Sequence, residues 1–162
     1  MNTFENYINI EAETINEFIK QHHPITLNEV KNDSFSRYDF TFYSAGTPNE
    51  HYTPVLDGIC EVKTRKNSST DYPEGIMIEL DKLNAVAKAV ADEKDEFHNI
   101  NKTIKGFFLF KYVDKMMLFD IETITTDNLQ FRKLPKQTAT NNNEWVTKAV
   151  LIIPYDDAVL TI

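Results

Sequence analysis

Three acid-x-lysine triplets occur in the 162-residue sequence: Glu29-Val30-Lys31, Glu61-Val62-Lys63 and Asp92-Glu93-Lys94. A chain this charged produces the triplet by accident, so the flanking residues must separate them. Asp92–Lys94 stands in a polar helical tail and reads as a solvated face. Glu29–Lys31 ends a first strand-like run, with no acid on an earlier strand to work with. Glu61-Val62-Lys63 closes the apolar run Val55-Leu56-Asp57-Gly58-Ile59-Cys60 and follows a β-rich segment carrying Asp39 between Tyr38 and Phe40. Side chains alternate along a strand, so Glu61 and Lys63 point to one face. If Arg37–Tyr43 pairs with this strand, Asp39 lies beside Glu61 on that face. Two carboxylates and a backbone carbonyl, that of Val62, suit Mg²⁺ or Mn²⁺, hard cations that take oxygen ligands. Such an ion polarises a phosphoryl oxygen and acidifies water, while Lys63 can orient the water or offset charge developing on phosphorus. The competing reading is a half-exposed strand whose opposite charges face water. Against it, charges that follow an apolar run need partners when they are buried.

These residues need elements to position them. Phe4, Tyr7, Ile8, Ile15, Phe18 and Ile19 recur at helical spacing, which predicts an amphipathic helix starting at Asn2 or Thr3 and closed by Pro24. At about 100° per residue Glu11 falls inside that apolar stripe, whereas Glu13 and Glu17 face the opposite way. A carboxylate there either meets a cation or hydrogen-bond donor, or snorkels to water at the stripe's edge. Strands are expected at Ile25–Val30, Arg37–Tyr43 and Val55–Lys63, the last two antiparallel neighbours joined by a loop at Ser44–Tyr52 with Gly46 and Pro48. Lys66–Pro73 reads as a polar loop. A second helix is expected at Leu80–Glu93, with Leu83, Val86, Ala87 and Val90 inward. Gly106–Tyr112 and Met116–Ile121 read as adjacent strands joined by a tight turn at Val113–Lys115. Thr125–Glu144 is polar, with a mobile tip at Asn141–Asn143, and Val146–Ile153 is one more strand, ended by Pro154. No repeat or linker interrupts the pattern. Residues 1–162 therefore read as a single α/β domain with a mixed sheet.

Composition narrows the functions. A net charge of −8 speaks against gripping many phosphates at once, so any nucleic acid must be held by a few local cations. Thr64-Arg65-Lys66 forms a short basic strip beside the triplet. Lys82 opens the second helix and could meet a phosphate, although a plain surface lysine is the simpler reading. Arg132, Lys133 and Lys136 form another strip. The single cysteine, Cys60, excludes an intramolecular disulfide, fits a reducing compartment and belongs to an apolar run. His22-His23 beside Pro24 reads as a helix end, and no Gly-rich phosphate loop, Gly-x-Ser-x-Gly or zinc knuckle is present. No apolar N-terminal segment resembles a signal peptide and no stretch is long enough to span a bilayer. The expected location is the cytoplasm.

Tyr38-Asp39-Phe40, some twenty residues of strand and loop, and then Ile59-Cys60-Glu61-Val62-Lys63-Thr64-Arg65 together resemble the PD-(D/E)xK nuclease superfamily. The helix at Leu80–Glu93 after the lysine strand matches that core, and Tyr38 stands where a proline often precedes the first acid. Glu74-Gly75-Ile76-Met77-Ile78-Glu79 with Lys82, followed by an aromatic hairpin, is similar to small phage-type members, which would place the chain in a host cytoplasm. The resemblance spans roughly Phe4 to Ile121. It implies a restriction-endonuclease-like core, a mixed central sheet flanked by helices. It also implies Mg²⁺- or Mn²⁺-dependent hydrolysis of DNA leaving 5′-phosphates. Asp39, Glu61 and Lys63 would be catalytic, Asp39, Glu61, Glu11 and the Val62 carbonyl would hold the metal, and Arg65, Lys66 and Lys82 would contact nucleic acid. The alternative is a catalytically inactive nuclease-fold protein that binds a protein or nucleic-acid partner. A homodimer stays open.

Overall fold

The computed structural model describes residues 3–21, 25–31, 36–44, 58–96, 104–136 and 144–162. The first apolar stripe forms helix α1 (Thr3–Gln21), with Ile15 and Phe18 buried and Ile19 packed beside them. The side chains of Phe4, Tyr7 and Ile8 lie outside the described residues, as do Asn2, Pro24 and the loop at 45–57. Three strands follow, β1 (Ile25–Val30), β2 (Phe40–Ser44) and β3 (Gly58–Thr64), and then β4 (Ile76–Glu79) runs directly into helix α2 (Leu80–Glu96). The chain continues through β5 (Lys105–Lys111), β6 (Met116–Asp120), β7 (Leu129–Pro135), β8 (Trp145–Ile153) and the two-residue β9 (Leu160–Thr161).

Six strands form one sheet in the order β1-β2-β3-β5-β6-β9, and three form another in the order β4-β8-β7. Only β3 and β5 are parallel among these pairings, so the large sheet is mixed and the small one antiparallel. β2 and β3 are antiparallel neighbours, with Phe40 opposite Cys60, as the sequence predicts. Alternation along β3 sorts its side chains between two cores. Cys60 and Val62 join Ile15, Phe18, Phe40 and Leu109 on the α1 side. Ile59 joins Phe108 and Phe110, the α2 residues Val86, Ala89 and Val90, and Ile78, Leu151 and Ile153 of the small sheet. Glu61 and Lys63 share the parity of Ile59, so they rise from the face that α2 and the small sheet cover.

Three expectations need correction. Thr125–Glu144 is not simply polar loop, because Leu129–Pro135 is a seven-residue edge strand; the tip at 141–143 lies outside the described residues. β4 joins β8 in a second sheet, which adds a layer to the single mixed sheet that was expected. On α2 the inward residues are Val86, Ala89 and Val90 with Leu83 half-buried, while Ala87 faces solvent. Positions 86, 89 and 90 follow the i, i+3, i+4 rule, and position 87 is rotated about 100° away from it.

Gly75 sets the entry to β4 and so the start of α2. Its φ is +115°, and a Cβ there would lie 2.2 Å from the Ile153 carbonyl oxygen. Both features demand glycine. Gly75→Ala is expected to destabilise the fold by about 2–3 kcal/mol, read by urea denaturation. A wild-type midpoint in the variant would mean the turn can rearrange freely.

Candidate active site

Glu61 is the charged residue that the fold hides most completely near the triplet, with only 3% of its side chain exposed. A buried carboxylate requires a counter-charge, and two arrive from different elements. Lys63, two residues along β3, donates to Oε1, and Lys82 from the first turn of α2 reaches the same oxygen at 3.2 Å. Among the described residues, both ion pairs of Glu61 fall on Oε1.

Asp39 approaches from the end of β2. Its amide donates to the Cys60 carbonyl at 2.9 Å, and its carboxylate Oδ2 accepts the Val62 amide at 2.6 Å. The carboxylate thus takes the place of a ladder partner where β2 and β3 part. Burial raises the Asp39 pKa, the neighbouring Glu61 charge raises it further, and Lys63 and the Val62 amide pull against both; the outcome is about 7. Glu11 completes the group from α1. It is half-buried, and desolvation raises its pKa while Lys63 lowers it, Glu61 raises it and Lys82 lowers it. Glu11 therefore sits in the field of the same cluster instead of snorkelling clear of it. Burial pulls the Lys82 pKa down, yet attraction to Glu61 and the hydrogen bond that Lys82 donates to it, with Asp39 behind, leave the value above that of an ordinary lysine.

The fold thus brings Asp39, Glu61, Lys63 and Lys82 together from the start of β2, from β3 and from α2, with Glu11 of α1 within their electrostatic field. Lys82 is more than the surface lysine that the simpler reading made it. The signal for this was present: Lys82 lies four and seven residues before Val86 and Ala89, on the inward stripe of α2. Val62 is buried, with its amide committed to Asp39. Arg65 is half-buried, its guanidinium 5.8 Å from the centre of the Phe110 ring, a cation–π contact that anchors it. Lys66 is exposed. Burial, with the Asp39 and Glu61 charges nearby, pushes the Cys60 thiol well up, so it is no thiolate nucleophile at neutral pH.

The fold and cluster define an α/β protein with a mixed sheet and a buried carboxylate–lysine centre, and no described helix is long and apolar enough to cross a membrane. No protein-family model matches the chain, and comparison with curated proteins finds no match.

The donor chemistry bears on the metal that the resemblance implies. Among the described residues, no three His, Cys, Asp or Glu side chains are gathered closely enough to hold an ion alone. Mg²⁺ needs less, because it commonly uses one or two carboxylates and fills its shell with water and substrate phosphate. The all-oxygen pair Asp39 and Glu61, with Glu11 in the same field, fits that requirement.

Proposed function

We propose that the chain is a metal-dependent nuclease of the PD-(D/E)xK type, hydrolysing phosphodiester bonds of DNA by in-line attack of water. The observation that supports it is the buried Glu61 carboxylate shared by Lys63 and Lys82 beside Asp39. An ordinary structural ion pair has no need of two lysines on one hidden acid with a second buried acid beside it, and perturbed carboxyls beside fixed cations are the mark of sites that handle charge. A divalent ion held by Asp39 and Glu61, with the Val62 carbonyl and water as further oxygens and Glu11 within reach only if its side chain moves toward them, would neutralise phosphate charge and acidify water.

The chain's own residues divide the remaining work. Lys63, 26% exposed, can swing from Glu61 toward solvent, where its ammonium offsets charge gathering on the phosphoryl oxygens. Lys82, 42% exposed, meets the same carboxylate oxygen and can anchor a phosphate. Asp39 is held by the Val62 amide, so its carboxylate keeps its aim.

Purified protein should cleave DNA with Mg²⁺ or Mn²⁺ and bind it with little turnover in Ca²⁺. The assay should span single-stranded, duplex and branched DNA and RNA. Inertness on all of them would overturn the proposal. The second reading would then take its place: a catalytically inactive nuclease-fold protein that binds a protein or nucleic-acid partner. One observation favours that reading, since two lysines already balance Glu61 without any ion.

A further inference from the structure

Placing two ammoniums on one carboxylate oxygen sets like charges side by side, a cost that only strongly negative surroundings offset. Lys63 and Lys82 stand this way on Oε1 of Glu61, Lys82 at 3.2 Å, and neither pairs with Oε2. The offset comes from Glu61 itself and from Asp39 and Glu11, which lie in the same field. Three carboxyl groups thus face two lysines.

The two lysines are held differently. Lys63 rises from β3 two residues beyond Glu61 and on the same face, so the strand keeps it beside that acid. Lys82 arrives from another element. Its main chain is fixed in the first turn of α2, where its amide donates to the Asp81 carboxylate at 2.9 Å. Its side chain is the more exposed of the two, and among the described residues its only ion pair is with Glu61. The flexible four-carbon stem of lysine lets such an ammonium leave its contact without moving the helix.

We propose that Lys82 is a placeholder for the divalent cation: it occupies Glu61 in the metal-free protein, is displaced when an ion binds Asp39 and Glu61, and is thereby freed for the substrate phosphate. The inference rests on the nuclease reading and adds an order of events to it. With a dication in the cluster, four positive charges would face three carboxyl groups, around a Glu61 nearly sealed from water. Once Glu61 shares its charge with the ion, Oε1 no longer holds two ammoniums, and the one from a separate element departs. The exchange keeps the buried acid compensated throughout. It also withholds the phosphate-binding cation until the metal is in place. Linkage is reciprocal: by whatever factor the ion weakens the Lys82–Glu61 pair, that pair weakens the ion.

Mn²⁺ binding to the full chain, read from the free-ion signal in electron paramagnetic resonance, should therefore be about ten- to a hundredfold tighter in Lys82→Ala. Lys82→Arg keeps a competing cation and should bind near the wild-type value. Lys88→Ala removes the same charge further along α2, from a lysine paired with Asp92, and should change nothing. A second measurement needs no variant. Acylation of the wild-type protein, followed by mass spectrometry, should find Lys82 modified slowly in EDTA and several-fold faster with saturating Mg²⁺, while Lys88 reacts equally in both. Slow acylation of Lys82 with the ion bound, or a Mn²⁺ affinity that Lys82→Ala leaves unchanged, overturns the placeholder and leaves the nuclease reading standing. Release of Lys82 by an ion in a protein that cleaves nothing supports the placeholder and counts against the nuclease. If Mn²⁺ does not bind, both fall.

Discussion

Glu61→Gln should reduce phosphodiester cleavage at least about a hundredfold, to the background of the assay. The substitution keeps the shape of the side chain and removes its charge, so it separates packing from electrostatics. In the metal-free protein an amide at position 61 can still accept from Lys63 or Lys82, and the fold should survive. For a hard cation the amide is a much poorer ligand than the carboxylate, because its oxygen carries no full charge. Lys63→Ala should lower kcat with little change in KM, since its ammonium is needed most where charge develops on the phosphate. Lys82→Ala should raise KM more than it lowers kcat, as expected of a group that holds the ground-state phosphate. Full-rate cleavage by Glu61→Gln, with contaminating nuclease excluded, would falsify the assignment of the site.

Removing both lysines should unfold more of the protein than the two single changes together. Lys63→Ala or Lys82→Ala alone leaves Glu61 one ammonium. The double variant leaves a carboxylate that is only 3% exposed with neither ion pair, and stranding a buried charge in this way costs about 3–5 kcal/mol. The deficit should shrink in acid, because an uncompensated buried carboxyl takes up a proton. Wild type has the same sign built in. The Asp39 pKa is about 7 in the folded protein against an ordinary 3.8, so between those values the native state binds more protons than the unfolded one. The Asp39 contribution to stability is then greatest below about 4 and is lost as pH rises through 7, by no more than about 4 kcal/mol. The raised Glu11 carboxyl acts in the same direction. Urea titrations of metal-free protein at pH 5 and pH 8 measure the decline, and Mn²⁺ should restore part of it at pH 8. Equal stability at both pH values, or additive lysine substitutions, would show that the cluster is open to water.

The sequence reveals the parts of this molecule that depend on short-range pattern. The helical stripe of α1, the alternation that puts Glu61 and Lys63 on one face, and the β5–β6 hairpin all follow from spacing within a dozen residues. β7 escapes that reading because Gln130, Arg132 and Lys133 interrupt its apolar residues and Phe131 is exposed, so it has no buried face to announce it. β4 escapes because four residues run into α2 without a turn signal between them. The tie between Lys82 and Glu61 joins residues whose elements meet only through tertiary packing. Periodicity could place Lys82 on the inward stripe of α2 but could not name the carboxylate it would meet.

The parallel pairing of β3 with β5 has a consequence for when this centre comes into being. β5 begins at Lys105, about forty residues after β3 ends, and the intervening chain must first lay down β4 and α2. Closing so long a loop costs entropy before the pairing returns anything, and contacts of this sequence separation slow folding. During synthesis, Asp39 and Glu61 leave the ribosome well before the strand that seals Glu61 into the interior. A nascent chain halted before Lys105 holds every residue of the cluster and the β2–β3 pair, but lacks the parallel strand that completes the core beside Glu61. Burial of Glu61 is therefore expected to come late in folding, and a chain truncated before Lys105 should leave that carboxylate open to water.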